Sequence, residues 1–271
     1  MLGSAAEADD AVQEAWLRAC RVDTSTFGNI AGWLTTVVSR VCLDMLRSRR
    51  RRCEELIDTA QLEEIVARGS ATDPEDEAVL ADSVGLALLV VLDRLGPAER
   101  VAFVLHDLFA VPFVEIAEIV ERSPVAAKKL ASRARRRVHG SAAVPATDLD
   151  RQREVVEAFL SASRDGDLDA LLAVLAPQVV RRADAVASRG DVATEVRGAR
   201  LVAEETLTNS GLARFARLIF VNRNVGVVVA PRGRLLLILE IAIHGDLVAA
   251  INVIGEASRL RQLQLTVAEV P

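Results

Sequence analysis

Hydrophobic positions recur at helical spacing twice between residues 113 and 138, with one break. Phe113, Val114, Ile116, Ala117 and Val120 form the first apolar stripe, and Glu121-Arg122-Ser123-Pro124 ends it. Ser123 suits an N-cap and Pro124 the first helical position, where no backbone donor is lost. The pattern predicts two short helices around a tight turn. Upstream, 5–19 places Ala8, Val12, Ala15, Trp16 and Ala19 on one face and Asp9, Asp10, Gln13 and Glu14 on the other. Segment 33–47 resumes helical spacing through Leu34, Val37, Val38, Val41, Met45 and Leu46. Two more helices are expected over 78–95 and 98–109, stopped by Gly96-Pro97 and by Val111-Pro112. The polar run 23–30 reads as a loop. Across 54–77 a short helix fits 56–66, and Gly69-Ser70 and Asp73-Pro74 mark the rest as linker.

Beyond a second linker at 140–147 the pattern changes. Helices are expected over 149–162 and 168–175, then strands over 215–222, 225–230, 235–243 and 247–254. Pro231-Arg232-Gly233 and His244-Gly245-Asp246 are the turns between consecutive antiparallel strands. The expected fold class is therefore multidomain: all-α units, one with a helix–turn–helix, followed by an α+β domain whose curved antiparallel sheet wraps a helix.

Length and charge sharpen this picture. The 271 residues favour two or three compact units. Net charge is −5, but it is segregated: Arg47, Arg49, Arg50, Arg51 and Arg52 form one basic block. Lys128, Lys129, Arg133, Arg135, Arg136 and Arg137 form another, and the acids Glu63, Glu64, Asp73, Glu75, Asp76 and Glu77 lie between them. Two basic patches joined by an acidic linker suggest two contacts with one polyanion. A helix–turn–helix whose second helix is this basic can lie in a DNA major groove with its cations on phosphates.

Cys20, Cys42 and Cys53 lack metal-binding spacing and read as reduced thiols. Met1 leads directly into Glu7, Asp9 and Asp10, unlike a signal peptide. The most apolar run, 235–243, is broken by Glu240 and is shorter than the ~20 residues of a membrane span. A cytoplasmic protein without membrane association, metal or cofactor is expected.

Three stretches in this order resemble the extracytoplasmic-function sigma factors, small promoter-recognition subunits of bacterial RNA polymerase. Ala8-Asp9-Asp10-Ala11-Val12-Gln13-Glu14-Ala15-Trp16-Leu17 is similar to the clamp-binding helix of the second sigma region. Trp33-Leu34-Thr35-Thr36-Val37-Val38-Ser39-Arg40, continuing through Asp44, Leu46 and Arg47 into the arginine run, is similar to the helix that reads the minus-10 element. Segment 124–137 is similar to the minus-35 recognition helix of the fourth region. The remaining half resembles the SnoaL-like fold of the NTF2 superfamily, which marks a subgroup with a fused, regulatory C-terminal domain.

The resemblance implies a domain order of 1–52 for the second region, 53–78 for an acidic linker, 79–139 for the fourth region, 140–148 for a linker and 149–271 for the SnoaL-like domain. It implies that Asp9, Asp10, Gln13 and Glu14 meet the polymerase clamp. Asp23, Asn29, Trp33, Arg40, Arg47 and Arg50 would serve the minus-10 element, and Lys128, Lys129, Ser132, Arg133 and Arg136 the minus-35 element. The expected partners are core RNA polymerase, promoter DNA and, within the molecule, the C-terminal domain docked on the sigma half. The family also places a helix before the Met1-Leu2-Gly3-Ser4 turn, so apolar faces of the Trp16 and Leu34 helices are expected to be partly uncovered here. The subgroup's Trp-Leu-Pro-Glu-Pro linker motif does not occur between Cys53 and Pro74.

No catalytic residue is assigned. Asp184 and His244 are the two that a SnoaL-like enzyme would draw on, and they lack a second motif; His244 fits a surface turn and His106 a core or interface position. The expected function is that of a sigma factor directing core polymerase to promoters, with a regulatory C-terminal domain. The alternatives are a stand-alone helix–turn–helix regulator, or a ligand-binding SnoaL-like domain on a decayed sigma half.

Overall fold

The computed structural model describes residues 1–3, 5–22, 29–52, 83–140, 146–188 and 194–267. The chain divides into two compact units, Met1–Ile57 with Val91–Val138 and Asp58–Val90 with His139–Pro271. Asp23, Cys53 and the expected 53–78 linker lie outside the described residues.

The first unit is helical. Helices α1 (Ala5–Ala19) and α2 (Ile30–Arg52) precede α3 (Ser83–Asp93), within which the division between units falls. Helix α4 (Pro97–Phe103) starts with proline at its first position and runs into a π-helical turn, Val104–Leu108. Helices α5 (Phe113–Val120) and α6 (Pro124–His139) complete the unit. Val41, Cys42, Leu43 and Leu46 of α2 join Val101, Ala102 and Leu105, Ile116, Ala117, Ile119 and Val120, and Ala127 and Ala131 in one apolar cluster. The segments expected as two helical domains thus share a single core. Each fully buried aliphatic side chain in it stabilises the fold by roughly 1.5–3 kcal/mol.

Two helix faces differ from the periodicity. On α1 the buried positions are Ala11 and Ala15, while Val12 and Trp16 stand 60% and 67% exposed. Spacing identified an apolar stripe, but the small side chains at its edge make the close contact. On α5, Val114 is exposed, and Ile116, Ala117, Ile119 and Val120 turn inward. Leu34 on α2 is also exposed.

Arg100 is the buried cation among this unit's described residues. Its Nη2 donates to Asp93 Oδ1 at 2.9 Å and its Nη1 to the Met1 carbonyl at 3.1 Å. Burial holds its pKa below the ordinary arginine value, with Asp93 acting against that shift.

The second unit is α+β. After α7 (Ala146–Asp165) and α8 (Leu168–Val174) come β1 (Leu175–Ala183), β2 (Glu195–Arg197), α9 (Ala199–Thr208) and α10 (Ser210–Ala213). Strands β3 (Ala216–Val221), β4 (Asn224–Val229), β5 (Leu237–His244) and β6 (Leu247–Ile254) form the expected meander. Helix α11 (Ala257–Gln262) and β7 (Leu265–Thr266) follow. The sheet order is β2-β1-β6-β5-β4-β3-β7. The meander is antiparallel as expected, but β1 joins β6 in parallel, so the sheet is mixed.

The pairing register shifts between Leu175 and Val180 and between Ala242 and Ile243, irregularities of the kind that bend a sheet. Helix α7 lies against β3 to β6, its Val155, Val156, Phe159 and Leu160 in one cluster with Val227, Val229, Ile241, Val248 and Ile251. Asn222 and Arg223 both have positive φ, the left-handed pair that closes a two-residue hairpin. Gly226 is required by close approach: a Cβ there would lie 2.8 Å from the Leu239 carbonyl oxygen.

Candidate nucleic-acid interface

The turn between α5 and α6 is built from local chemistry. Glu121 adopts the left-handed conformation, φ 58°, which ends α5 and lets Arg122 N donate to the Ala117 carbonyl at 3.0 Å. Ser123 Oγ accepts from Ala126 N at 3.2 Å, the N-cap that the sequence pattern predicted.

Helix α6 then sorts its side chains by face. Ala127, Ala131, Ala134 and Val138 are buried, a small-residue stripe at helical spacing, of which Ala127 and Ala131 belong to the first unit's apolar cluster. At about 100° per residue, Lys128, Lys129, Ser132, Arg133 and Arg136 fall on the opposite side. All five are exposed. Arg135 and Arg137 flank that side and are tied down. Arg135 Nε donates to Asp107 Oδ1 at 2.7 Å, and Arg137 Nη1 to Glu99 Oε2 at 2.7 Å. Glu99 also accepts from Gly96 N at 3.2 Å, so one carboxylate caps α4 and anchors α6. The helix presents a cationic face held on both flanks by acids of neighbouring segments. The five expected minus-35 residues leave out Arg135 and Arg137, but the partners of these two, Asp107 and Glu99, carry no local signal because they lie 28 and 38 positions away.

The cations of α2 are arranged differently. Arg40 Nη2 donates to the Glu118 carbonyl at 3.3 Å, and Arg47 lies 3.7 Å from Asp44 on the same helix. Arg49 donates to the Leu2 carbonyl at 3.1 Å and reaches Glu7 at 3.4 Å and Asp93 at 3.8 Å. Arg50 is exposed. Asn29 caps α2, its Oδ1 accepting from Gly32 N at 2.9 Å, and Trp33 is half-buried on the first turn. The expected minus-10 residues that are described therefore lie along one helix, but several already have partners within the unit. Asp9, Asp10, Gln13 and Glu14 are all exposed on α1, with Glu14 paired to Arg18 at 2.9 Å.

In the second unit the two residues weighed for catalysis have structural roles or surface positions. Asp184 is half-buried with its side chain largely covered, and its Oδ2 accepts from Gly255 N and Glu256 N at 3.0 Å each, while Oδ1 accepts from Ala187 N at 3.0 Å. Burial pushes its pKa up, but these backbone donors, with Arg259 at 3.4 Å, hold it below the usual carboxylate value. It pins the end of β1 to the turn after β6. His244 is an exposed residue at a hairpin. In the first unit, the His106 ring stacks on Phe113 at 3.9 Å and its Nδ1 lies 3.2 Å from the Val111 carbonyl. Among the described residues no His, Cys, Asp or Glu group suits a metal ion, and no helix is long and apolar enough to cross a membrane.

Comparison with known proteins meets this geometry at the same segments. Residues 1–52 match Sigma-70 region 2 and residues 85–138 match Sigma-70, region 4. The helical unit is thus of the sigma-70 class, its helix–turn–helix lying in the fourth region. Over 201 residues the chain is 45% identical to the ECF RNA polymerase sigma factor SigJ of Mycobacterium tuberculosis, covering 74% of this chain and 63% of that relative. It is 42% identical over 185 residues to the probable ECF RNA polymerase sigma factor SigI of the same species, covering 68% and 64%. The matched portion is less than two thirds of either relative's length. The crystal structure of Mycobacterium tuberculosis SigJ is similar at 34% identity, covering 95% of this chain and 91% of that one with a TM-score of 0.41. The chain belongs to the extracytoplasmic-function sigma factors.

Proposed function

We propose that this protein binds core RNA polymerase in the cytoplasm and directs it to a promoter, with the C-terminal unit regulating that activity. The observation that carries the reading is the division of labour on α6. Its buried alanine stripe fixes the helix, Arg135 and Arg137 clamp its flanks, and Lys128, Lys129, Ser132, Arg133 and Arg136 face outward as a set. Such a face supplies phosphate contacts and bidentate donors for guanine edges, each good base contact contributing roughly 1–3 kcal/mol of discrimination. The acidic row Asp9, Asp10, Gln13 and Glu14 supports contact with a basic surface of the polymerase, because it stands exposed on α1. The chain carries no catalytic role in this reading.

Run-off transcription with purified core polymerase tests it, paired with a polymerase pull-down. Polymerase-dependent transcripts from a defined start are expected, and charge reversal at Asp10 and Glu14 is expected to remove polymerase binding while DNA binding persists. DNA binding without any polymerase association would overturn the reading. It would favour a stand-alone helix–turn–helix regulator, the second reading, which draws on the engagement of Arg40 and Arg49 within their own unit.

A further inference from the structure

The C-terminal unit holds a partly open pocket of about 130 Å³ between α7, α9, α10 and the sheet. Its walls are mainly apolar, from Phe159, Leu212, Leu239 and Ile251 among others. Cavities of this size lined by such residues hold a molecule as large as benzene.

Its polar lining has one chemical bias. Glu205 on α9 pairs with Nη2 of Arg181 on β1, the side chains being 17% and 11% exposed. Arg181 has the same strand parity as the buried Val179, which places it on the α7 side of β1. Arg181 takes up Oε1 of Glu205, whereas Oε2 is buried with no hydrogen-bond partner among the described residues. The hydroxyl protons nearby are already engaged. Ser163 Oγ donates to the Phe159 carbonyl at 2.6 Å, and Thr206 Oγ1 to the Val202 carbonyl at 2.8 Å. Asn209 Nδ2 donates to the Glu205 carbonyl at 2.9 Å. Beside the Arg181 guanidinium, which also lines the pocket, these groups offer oxygens, led by an unmet carboxylate oxygen of the kind that is costly to leave without a donor.

We propose that this cavity is a binding site for a small neutral molecule with a ring-sized apolar body and one hydrogen-bond donor, a hydroxyl above all, directed at Glu205. Charge selects the neutral form. Arg181 already compensates the carboxylate, so a ligand bringing net charge into this mainly apolar pocket would enter uncompensated. An anion would in addition meet the carboxylate. The site is independent of whether the chain acts as a sigma factor, because its residues all belong to the C-terminal unit.

Titration of the full chain with phenol, benzene and benzoate tests the proposal, read by methyl NMR and by calorimetry. Phenol is expected to bind at least about tenfold tighter than benzene, the advantage of a hydrogen bond to a charged acceptor, and benzoate more weakly than phenol. The methyl signals of Leu212, Leu239 and Ile251 are expected to move with phenol. Glu205→Gln is expected to cut the preference for phenol over benzene to threefold or less. Should that variant fail to fold, the wild-type comparison still decides. Equal affinity for phenol and benzene, shifts confined to methyls elsewhere, or no binding up to the solubility of the probes would each overturn the assignment.

Discussion

Asp184 shows how one side chain can hold two distant segments together. Its carboxylate accepts from three backbone amides, two of them at Gly255 and Glu256, on the far side of the sheet sequence. Asp184→Asn keeps the shape but loses the charge that strengthens those bonds, so a destabilisation of about 1–3 kcal/mol is expected at pH 7. The pH dependence has a fixed sign. A carboxylate whose folded pKa lies below its unfolded one adds stability that is complete above the ordinary value of about 3.9. That contribution disappears as pH falls through the depressed folded value. Urea melts of wild type and Asp184→Asn should therefore differ most at neutral pH and converge below about pH 4. A second expectation concerns Glu121, a non-glycine residue at φ 58°. Glu121→Gly should raise stability by up to about 1 kcal/mol, because glycine adopts that conformation without strain. A lower melting temperature for Glu121→Gly would show that its side chain matters more than its backbone. The identity of both residues was plain in the sequence; their roles were not. An aspartate before Ala185 looks like a catalytic candidate until the amides 71 and 72 residues away are placed around it.

At the scale of the element, α6 combines outward-facing cations with two that are tied to acids of neighbouring segments. Spacing made the helix and its N-cap legible, because Ser123-Pro124 and the Ala127, Ala131, Ala134, Val138 stripe are local signals. That Arg135 and Arg137 are anchored depends on Asp107 and Glu99, and no local pattern points to those partners. The consequence is measurable. Arg133→Ala should weaken promoter binding and lower the slope of log affinity against log salt by about one, with stability changed by less than about 0.5 kcal/mol. Arg137→Ala, half-exposed and paired with a largely buried carboxylate, should act chiefly on stability, by about 0.5–1 kcal/mol after allowance for solvent screening. Fluorescence anisotropy across a salt series, alongside thermal melts, separates the two. Equal effects of both substitutions on stability and DNA binding would remove the distinction drawn between them. The sheet teaches the same lesson. The meander from β3 to β6 was readable from alternation and turns, whereas β1 was not, since its pairing partner β6 is about 70 residues later.

For the molecule as a whole, periodicity tells which face of a helix is apolar but not what covers it. Helix α1 leaves Trp16 and Val12 outside, and α2 joins the helices of the fourth region in one core. The sequence suggested two helical domains separated by an acidic linker, because the linker's composition is a strong local signal and the shared core is a long-range one. A shared core makes the two segments energetically dependent. Leu43 on α2 is 2% exposed and sits in the cluster that includes Val101, Ile116 and Val120. Leu43→Ala should cost about 2–5 kcal/mol, the usual range for emptying such a site. The more telling readout is where the loss appears. If one core stabilises both segments, amide hydrogen exchange should accelerate across α4 and α5 as well as α2, since regions that unfold together lose protection together. Acceleration confined to α2 would show that the fourth region stands on its own core. Addition of core polymerase extends the same experiment: a faster exchange at Val101, Ile116 and Val120 in the complex would mean that the two regions part when the polymerase is engaged. Unchanged protection would mean that the face of α6 meets DNA with the shared core intact.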